Sequence, residues 1–110
     1  SKVQMVPSSM TKLMTLYILF DRLKDGKIKL DTQFSVSERA WRMGGSKMFV
    51  EIGKTIGVED LIRGIVVQSG NDACVVVAEG ISGTEEAFAE EMNFYAKKLG
   101  LTGSNFRNST

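Results

Sequence analysis

Met10, Leu13, Met14, Leu16, Tyr17, Ile18, Leu19, Phe20 and Leu23 recur at helical spacing and cover nearly every face of that helix. The pattern predicts a central helix, buried all round. Pro7 and Ser8 suit its start, and Lys24-Asp25-Gly26 its end. Ile28, Leu30, Phe34 and Val36 alternate weakly, the mark of short extended structure. Residues 37–56 have no clear period; Gly44-Gly45-Ser46 marks a turn and Met48-Phe49-Val50 is a short apolar stretch. Val58 to Gln68 reads as a second helix, with Glu59 and Asp60 in its first turn and Leu61, Ile62, Ile65 and Val66 as its stripe. Ser69-Gly70 breaks it. Asn71 then caps a third helix, Asp72 to about Gly80. Thr84 caps a fourth. Glu85 and Glu86 sit at its positive end, Lys97 and Lys98 at its negative end, and Gly100 stops it. Phe88, Met92, Tyr95 and Leu99 line one face of this fourth helix.

Composition narrows the chemistry. The 110 residues are 43% hydrophobic and 25% charged, close to an ordinary globular domain, with a net charge of +1. That balance argues against a nucleic-acid surface, which needs a clustered basic patch. The longest apolar run is far shorter than a membrane span, and no signal peptide opens the chain. With no His and one Cys, neither a disulfide framework nor a Cys/His zinc site can form, and no histidine can act as a base. The chain starts at Ser1 and stops at Phe106-Arg107-Asn108-Ser109-Thr110 with no closing pattern, so it reads as a segment of a longer protein.

Ser9-Met10-Thr11-Lys12 is an S-x-x-K. Residues three apart on a helix share a face, so the hydroxyl and the amine can meet. A serine is a poor nucleophile until a base takes its proton, and without His a lysine is the available base. Burial lowers the proton affinity of a lysine, and Met10, Leu13 and Met14 surround Lys12 in sequence. The same tetrapeptide also fits a capped helix whose Lys reaches solvent. Ser69-Gly70-Asn71 reads either as a turn with an N-cap or as a second reactive group. In the latter, Ser69 relays a proton and Asn71 hydrogen-bonds a substrate amide.

Taken together, the two motifs resemble those of the serine D-alanyl-D-alanine carboxypeptidases, the low-molecular-mass penicillin-binding proteins. Pro7-Ser8-Ser9-Met10-Thr11-Lys12-Leu13-Met14-Thr15 is similar to their nucleophile helix, and Gln68-Ser69-Gly70-Asn71-Asp72-Ala73-Cys74 to their second motif. Gly45-Ser46-Lys47-Met48-Phe49 resembles the loop between. Tyr95 to Leu101 and Phe106 to Thr110 resemble the stretch that follows. The resemblance spans essentially residues 1–110, which it identifies as part of one catalytic domain. It implies Ser9 as the acylated nucleophile, Lys12 as its base, Ser69 as the proton relay and Asn71 as the substrate-binding amide. It further implies removal of the terminal D-Ala from peptidoglycan stem pentapeptides, acylation by β-lactams, no cofactor and no metal. An extracytoplasmic bacterial location follows, with any membrane anchor outside this chain.

The family's K-T-G motif does not occur here. In the family it lies on a strand and supplies part of the oxyanion hole. The expected fold is therefore the helical part of an α+β, β-lactamase/transpeptidase-like domain without its antiparallel sheet. The segment alone is expected to be inactive, since one lost oxyanion donor costs about 10²–10³ in rate. A non-catalytic helical interaction module and a serine β-lactamase-like hydrolase are the alternatives. Class A β-lactamases carry S-D-N where this chain has Ser69-Gly70-Asn71. Cys74 is expected in the core, as are the methionines. Trp41, between Arg39 and Arg42, is expected as a packed loop residue. Glu38 and Glu51 are expected to be solvated.

Overall fold

The structure is a computed structural model that describes residues 4–5, 8–43, 51–100 and 104–105, with side chains over 10–43 and 51–100. In chain order the elements are β1 (Gln4–Met5), α1 (Ser8–Lys24), β2 (Gln33–Ser35), α2 (Glu38–Trp41), β3 (Thr55–Gly57), α3 (Val58–Gln68), α4 (Asn71–Ser82), α5 (Glu85–Lys98) and β4 (Ser104–Asn105). The chain is mostly helical, as the periodicity predicts. Among the described residues no helix is long and apolar enough to cross a membrane.

The central helix is α4, not α1. Asp72 through Ala78 are buried without a break, and α4 packs against α1, α2, α3, α5 and β2. Its small side chains (Ala73, Cys74, Val75, Val76, Val77 and Ala78) let neighbouring helices close in on every side. Cys74 lies in this core as expected.

Helix α1 is buried on one face only. Thr11, Met14, Thr15, Ile18 and Leu19 face α3, α4 and α5, whereas Met10, Leu13, Tyr17 and Phe20 are exposed, Leu13 by 62% and Phe20 by 48%. The expectation of an all-round buried helix is thus overturned. Its apolar residues suffice for two buried faces, but the described elements cover only one. Met14 and Met92 are core residues while Met10 is not. Val66 and Leu99, read as stripe residues, are exposed, and so is Trp41 at the end of α2.

The ends of the helices follow local chemistry. Thr84 Oγ1 accepts the Ala87 N–H at 3.0 Å, capping α5 as predicted. Ser37 Oγ accepts the Ala40 N–H at 3.1 Å and donates to Glu79 Oε1 at 2.6 Å, tying α2 to α4. Gly26 and Gly100 have φ of 77° and 78°, the left-handed turns that close α1 and α5. The extended segment is real: β2 pairs antiparallel with β3, with Phe34 opposite Ile56, and Phe34 and Val36 face inward. Strands β1 and β4 pair in parallel, Gln4 with Ser104 and Met5 with Asn105. No periodicity marks them. Pro7, Gly44 to Val50 and Phe106 to Thr110 lie outside the described residues.

Candidate active site

Ser9 and Lys12 both lie in the first turns of α1. Three residues span about 4.5 Å along a helix, on one face. The side chain of Ser9 lies outside the described residues. Lys12 is half-buried, and its Nζ donates to the carbonyl oxygen of Ser69 at 2.6 Å. This bond crosses from α1 to the turn between α3 and α4 and joins the two motifs.

That turn has unusual backbone geometry. Ser69 has φ 50° and ψ 41°, the one non-glycine residue with positive φ among the described residues. A side chain makes this region costly, so the surroundings must hold it there. They do so through Gly64, whose carbonyl accepts the N–H groups of both Ser69 and Gly70. Lys12 thus reaches the end of α3 and satisfies a carbonyl at its C-terminal cap.

Asn71 is the first residue of α4 rather than its cap. Gly70 holds the cap position and makes no side-chain cap bond, so the expectation that Asn71 caps the helix is corrected. The half-buried Asn71 side chain sits one residue beyond the turn that holds Lys12. Asp72 is 1% exposed, and its Oδ1 accepts the Ala73 N–H at 2.9 Å. A buried carboxylate at the positive end of a helix is stabilised there.

The surroundings of Lys12 also differ from expectation. Met10 and Leu13 point outward, so of the three apolar neighbours in sequence only Met14 is buried. Lys12, Leu13, Leu16, Ile65, Val66 and Ser69 line an open cleft of about 320 Å³ along the α1–α3 seam. Its walls are apolar, with Lys12 and Ser69 as its polar end. A larger hollow, about 460 Å³, lies between β2 and the end of α4. Its one carboxylate, Glu79, is already bonded to Ser37, and a third hollow of about 410 Å³ lies along α3 beside Asp60 and Arg63; the smaller cleft is the one that holds Lys12 and Ser69. The Cys74 thiol lies beneath this corner. Burial pushes it up to about 12; Lys12 opposes the rise, while Asp72 and Glu85 add to it.

Sequence reasoning missed the Ser69 carbonyl and the burial of Asp72. A left-handed Ser leaves no mark in sequence, because Gly or Asn is the residue expected there. Glu38 is exposed and pairs with Arg42, and Glu51 is exposed; neither joins the site. Among the described residues no cluster of His, Cys, Asp or Glu could hold a metal ion.

Known proteins resemble this chain in sequence and in fold. The family described as D-alanyl-D-alanine carboxypeptidase, peptidase S11, matches residues 1–110. The carboxypeptidase DacF of Bacillus subtilis is 46% identical over 110 residues, covering 100% of this chain and 28% of that protein. The crystal structure of the carboxypeptidase DacD from Francisella tularensis superposes with a TM-score of 0.91 at 44% identity, over 94% of this chain and 25% of that one. Penicillin binding protein 6B from Escherichia coli superposes at 0.88 with 40% identity, over 94% of this chain and 34% of that one. The chain thus spans about a quarter to a third of these relatives and folds as the matching part of them. By sequence and by fold, it belongs to the D-alanyl-D-alanine carboxypeptidase family.

Proposed function

We propose that this chain carries the nucleophile, base and proton relay of a serine peptidase that releases the terminal D-Ala from peptidoglycan stem peptides. The observation that supports it is the 2.6 Å bond from Lys12 Nζ to the Ser69 carbonyl. It brings S-x-x-K and S-G-N, fifty-seven residues apart, to one corner beside an open cleft. In this reading the Ser9 hydroxyl attacks the carbonyl of the D-Ala-D-Ala bond while the Lys12 amine takes its proton. The Ser69 hydroxyl passes a proton to the leaving amine, and Asn71 holds the substrate amide. Water then hydrolyses the acyl-serine. A β-lactam carbonyl meets the same serine and forms a stable acyl-enzyme. No step calls for a metal or cofactor. The substrate implies action outside the cytoplasmic membrane.

The chain carries two of the three motifs, since K-T-G is absent from its sequence. Residues 1–110 are thus one part of a catalytic domain, and the exposed face of α1 is where a sheet from the remainder packs. The test is labelling by a fluorescent penicillin. A longer protein containing this segment labels at Ser9, the Ser9→Ala variant does not, and the 110-residue chain labels weakly or not at all. Labelling and D-Ala release that survive Ser9→Ala would refute the catalytic reading.

A further inference from the structure

We propose that the left-handed turn at Ser69 is a positioning device for Lys12, acting through the backbone carbonyl and separately from the Ser69 hydroxyl. The inference rests on the acyl-transfer reading above. A lysine has four rotatable side-chain bonds and samples many positions unless something selects one. On the cleft side the Ser69 carbonyl makes that selection, at 2.6 Å. A peptide carbonyl neither gives nor takes a proton here, so its contribution is to fix the direction of the amine. It engages one N–H and leaves the rest of the nitrogen facing the cleft, on the helix face shared with Ser9.

The turn is held rather than chosen by its own residue. A serine at φ 50° pays for a conformation that glycine adopts freely. The Gly64 carbonyl locks it from the α3 side by accepting the Ser69 and Gly70 N–H groups. From the α4 side Gly70 is buried, and Asp72, also buried, accepts the Ala73 N–H at 2.9 Å. Strain held in place by its surroundings marks a site where geometry matters.

Three substitutions separate carbonyl from hydroxyl. Ser69→Gly removes the hydroxyl and keeps the left-handed turn. Ser69→Val removes the hydroxyl and opposes the turn, because a β-branched residue resists positive φ. Gly70→Pro suits φ −66°, keeps the Ser69 hydroxyl, deletes the N–H to Gly64 and drives Ser69 toward extended backbone. In the 110-residue chain, NMR detects the scalar coupling across the hydrogen bond between Lys12 Nζ and the Ser69 carbonyl carbon. We expect it in the native sequence and in Ser69→Gly, and its loss with a mobile amine in Ser69→Val and Gly70→Pro. In a longer protein, penicillin acylation of Ser69→Val falls at least about tenfold below Ser69→Gly, although both lack the hydroxyl. Gly70→Pro falls at least about tenfold below the native protein. Equal acylation of the Gly and Val variants overturns the proposal. So does absence of the coupling in the native chain, a measurement that stands even if a variant fails to fold. Failure of the catalytic reading appears separately, as acylation that persists in Ser9→Ala while the coupling is unchanged.

Discussion

The amine of Lys12 sits 2.6 Å from the carbonyl oxygen of Ser69, and that single bond ties the first turns of α1 to the α3–α4 turn. Replacing Lys12 by Met keeps most of the side chain's length and removes the donor. A typical intramolecular hydrogen bond contributes about 0.5–1.5 kcal/mol. Lys12 is half-buried, so solvent screening reduces this, and a stability loss of up to about 1 kcal/mol is expected. Loss of a general base costs about 10²–10⁴ in rate. Urea unfolding of the chain and penicillin acylation of a longer protein measure the two effects. Acylation at native rates in Lys12→Met removes Lys12 from the mechanism.

The exposed stripe on α1 makes a second prediction. Met10, Leu13, Tyr17 and Phe20 repeat at spacings of three and four on the more exposed side of α1, where Leu13 borders the cleft and Tyr17 meets Tyr95 at the edges. Contiguous apolar surface of this kind associates or binds partners. The 110-residue chain should self-associate, and the double change Leu13→Glu, Phe20→Glu should reduce this in sedimentation experiments at a stability cost of about 1–2 kcal/mol, since both side chains are only partly buried. In a longer protein whose sheet covers α1, the same pair should cost about 3–6 kcal/mol, from about 1.5–3 for each buried side chain. Equal tolerance in both settings would show that nothing packs on this face.

How much of this was legible in the sequence depends on what each feature leaves behind. Helix α3 is predicted from Val58 to Gln68, the bounds it has in the structure, because Glu59 and Asp60 mark its first turn, an apolar stripe follows and Ser69-Gly70 breaks it. Helix α5 is equally plain, with its Thr cap, acidic first turn and basic last turn. The burial of α1 misleads because hydrophobicity records what a residue will be packed against, whether or not the packing element is present. Strands β1 and β4 are two residues each, too short for any period. The pairing of Lys12 with Ser69 follows from the S-x-x-K and S-G-N motifs only as proximity. The acceptor is a backbone carbonyl, and backbone groups are identical at every position of a sequence.

Gly80 illustrates a constraint that sequence does not announce. A Cβ built there would lie 2.5 Å from Cγ of Phe34 and within 2.7 Å of two further ring carbons. The nearest atom is Cγ, the root of the ring, so relief requires Phe34 to change χ1 or its strand to shift on α4. Gly80→Ala gains helix propensity of up to about 1 kcal/mol, yet overpacking costs about 1–3 kcal/mol. Net destabilisation is expected. Combining it with Phe34→Leu should recover part of the loss, so a double-mutant cycle should show coupling above about 0.5 kcal/mol. Strict additivity would mean that the ring simply moves aside.

A polar cluster fastens the far end of α1 to α5. Tyr95 Oη donates to Asp21 Oδ2 at 2.5 Å and accepts from Arg22 at 3.0 Å, while Arg22 also pairs with Glu91, which accepts from Ser82. The Tyr95 ring meets Tyr17 edge-on at 5.7 Å. Tyr95→Phe keeps the ring contact and removes the bridge between Asp21 and Arg22. It should cost about 1–2 kcal/mol, read by urea unfolding. The cluster begins nine residues along α1 from Lys12, roughly 14 Å away. Penicillin acylation of a longer protein should therefore be unchanged below its melting temperature. A fall in acylation would mean that the cluster reaches the site.

The Cys74 thiol connects the core to pH. It is fully buried in α4, and burial is the main reason its pKa rises from 9.0 to about 12, with Asp72 and Glu85 adding and Lys12 subtracting. A folded value above the unfolded one means that the folded chain holds this proton more tightly. The resulting stability is complete below pH 9.0 and drains away as pH rises toward about 12. Cys74→Ala removes this dependence and leaves a small cavity, so at neutral pH the variant should be less stable by about 1–2 kcal/mol. The gap should narrow through the alkaline range and can reverse. Tyr95 also titrates upward, because its hydroxyl is bonded to Asp21, but that contribution is common to both proteins and cancels in the difference. Urea unfolding of the two chains at steps from about pH 7 to about pH 11 measures the gap directly. Parallel stability curves over that range would mean that the thiol ionises as readily in the folded chain as in the unfolded one. Rapid reaction of Cys74 with a disulfide reagent in the native chain at neutral pH would contradict its burial as well.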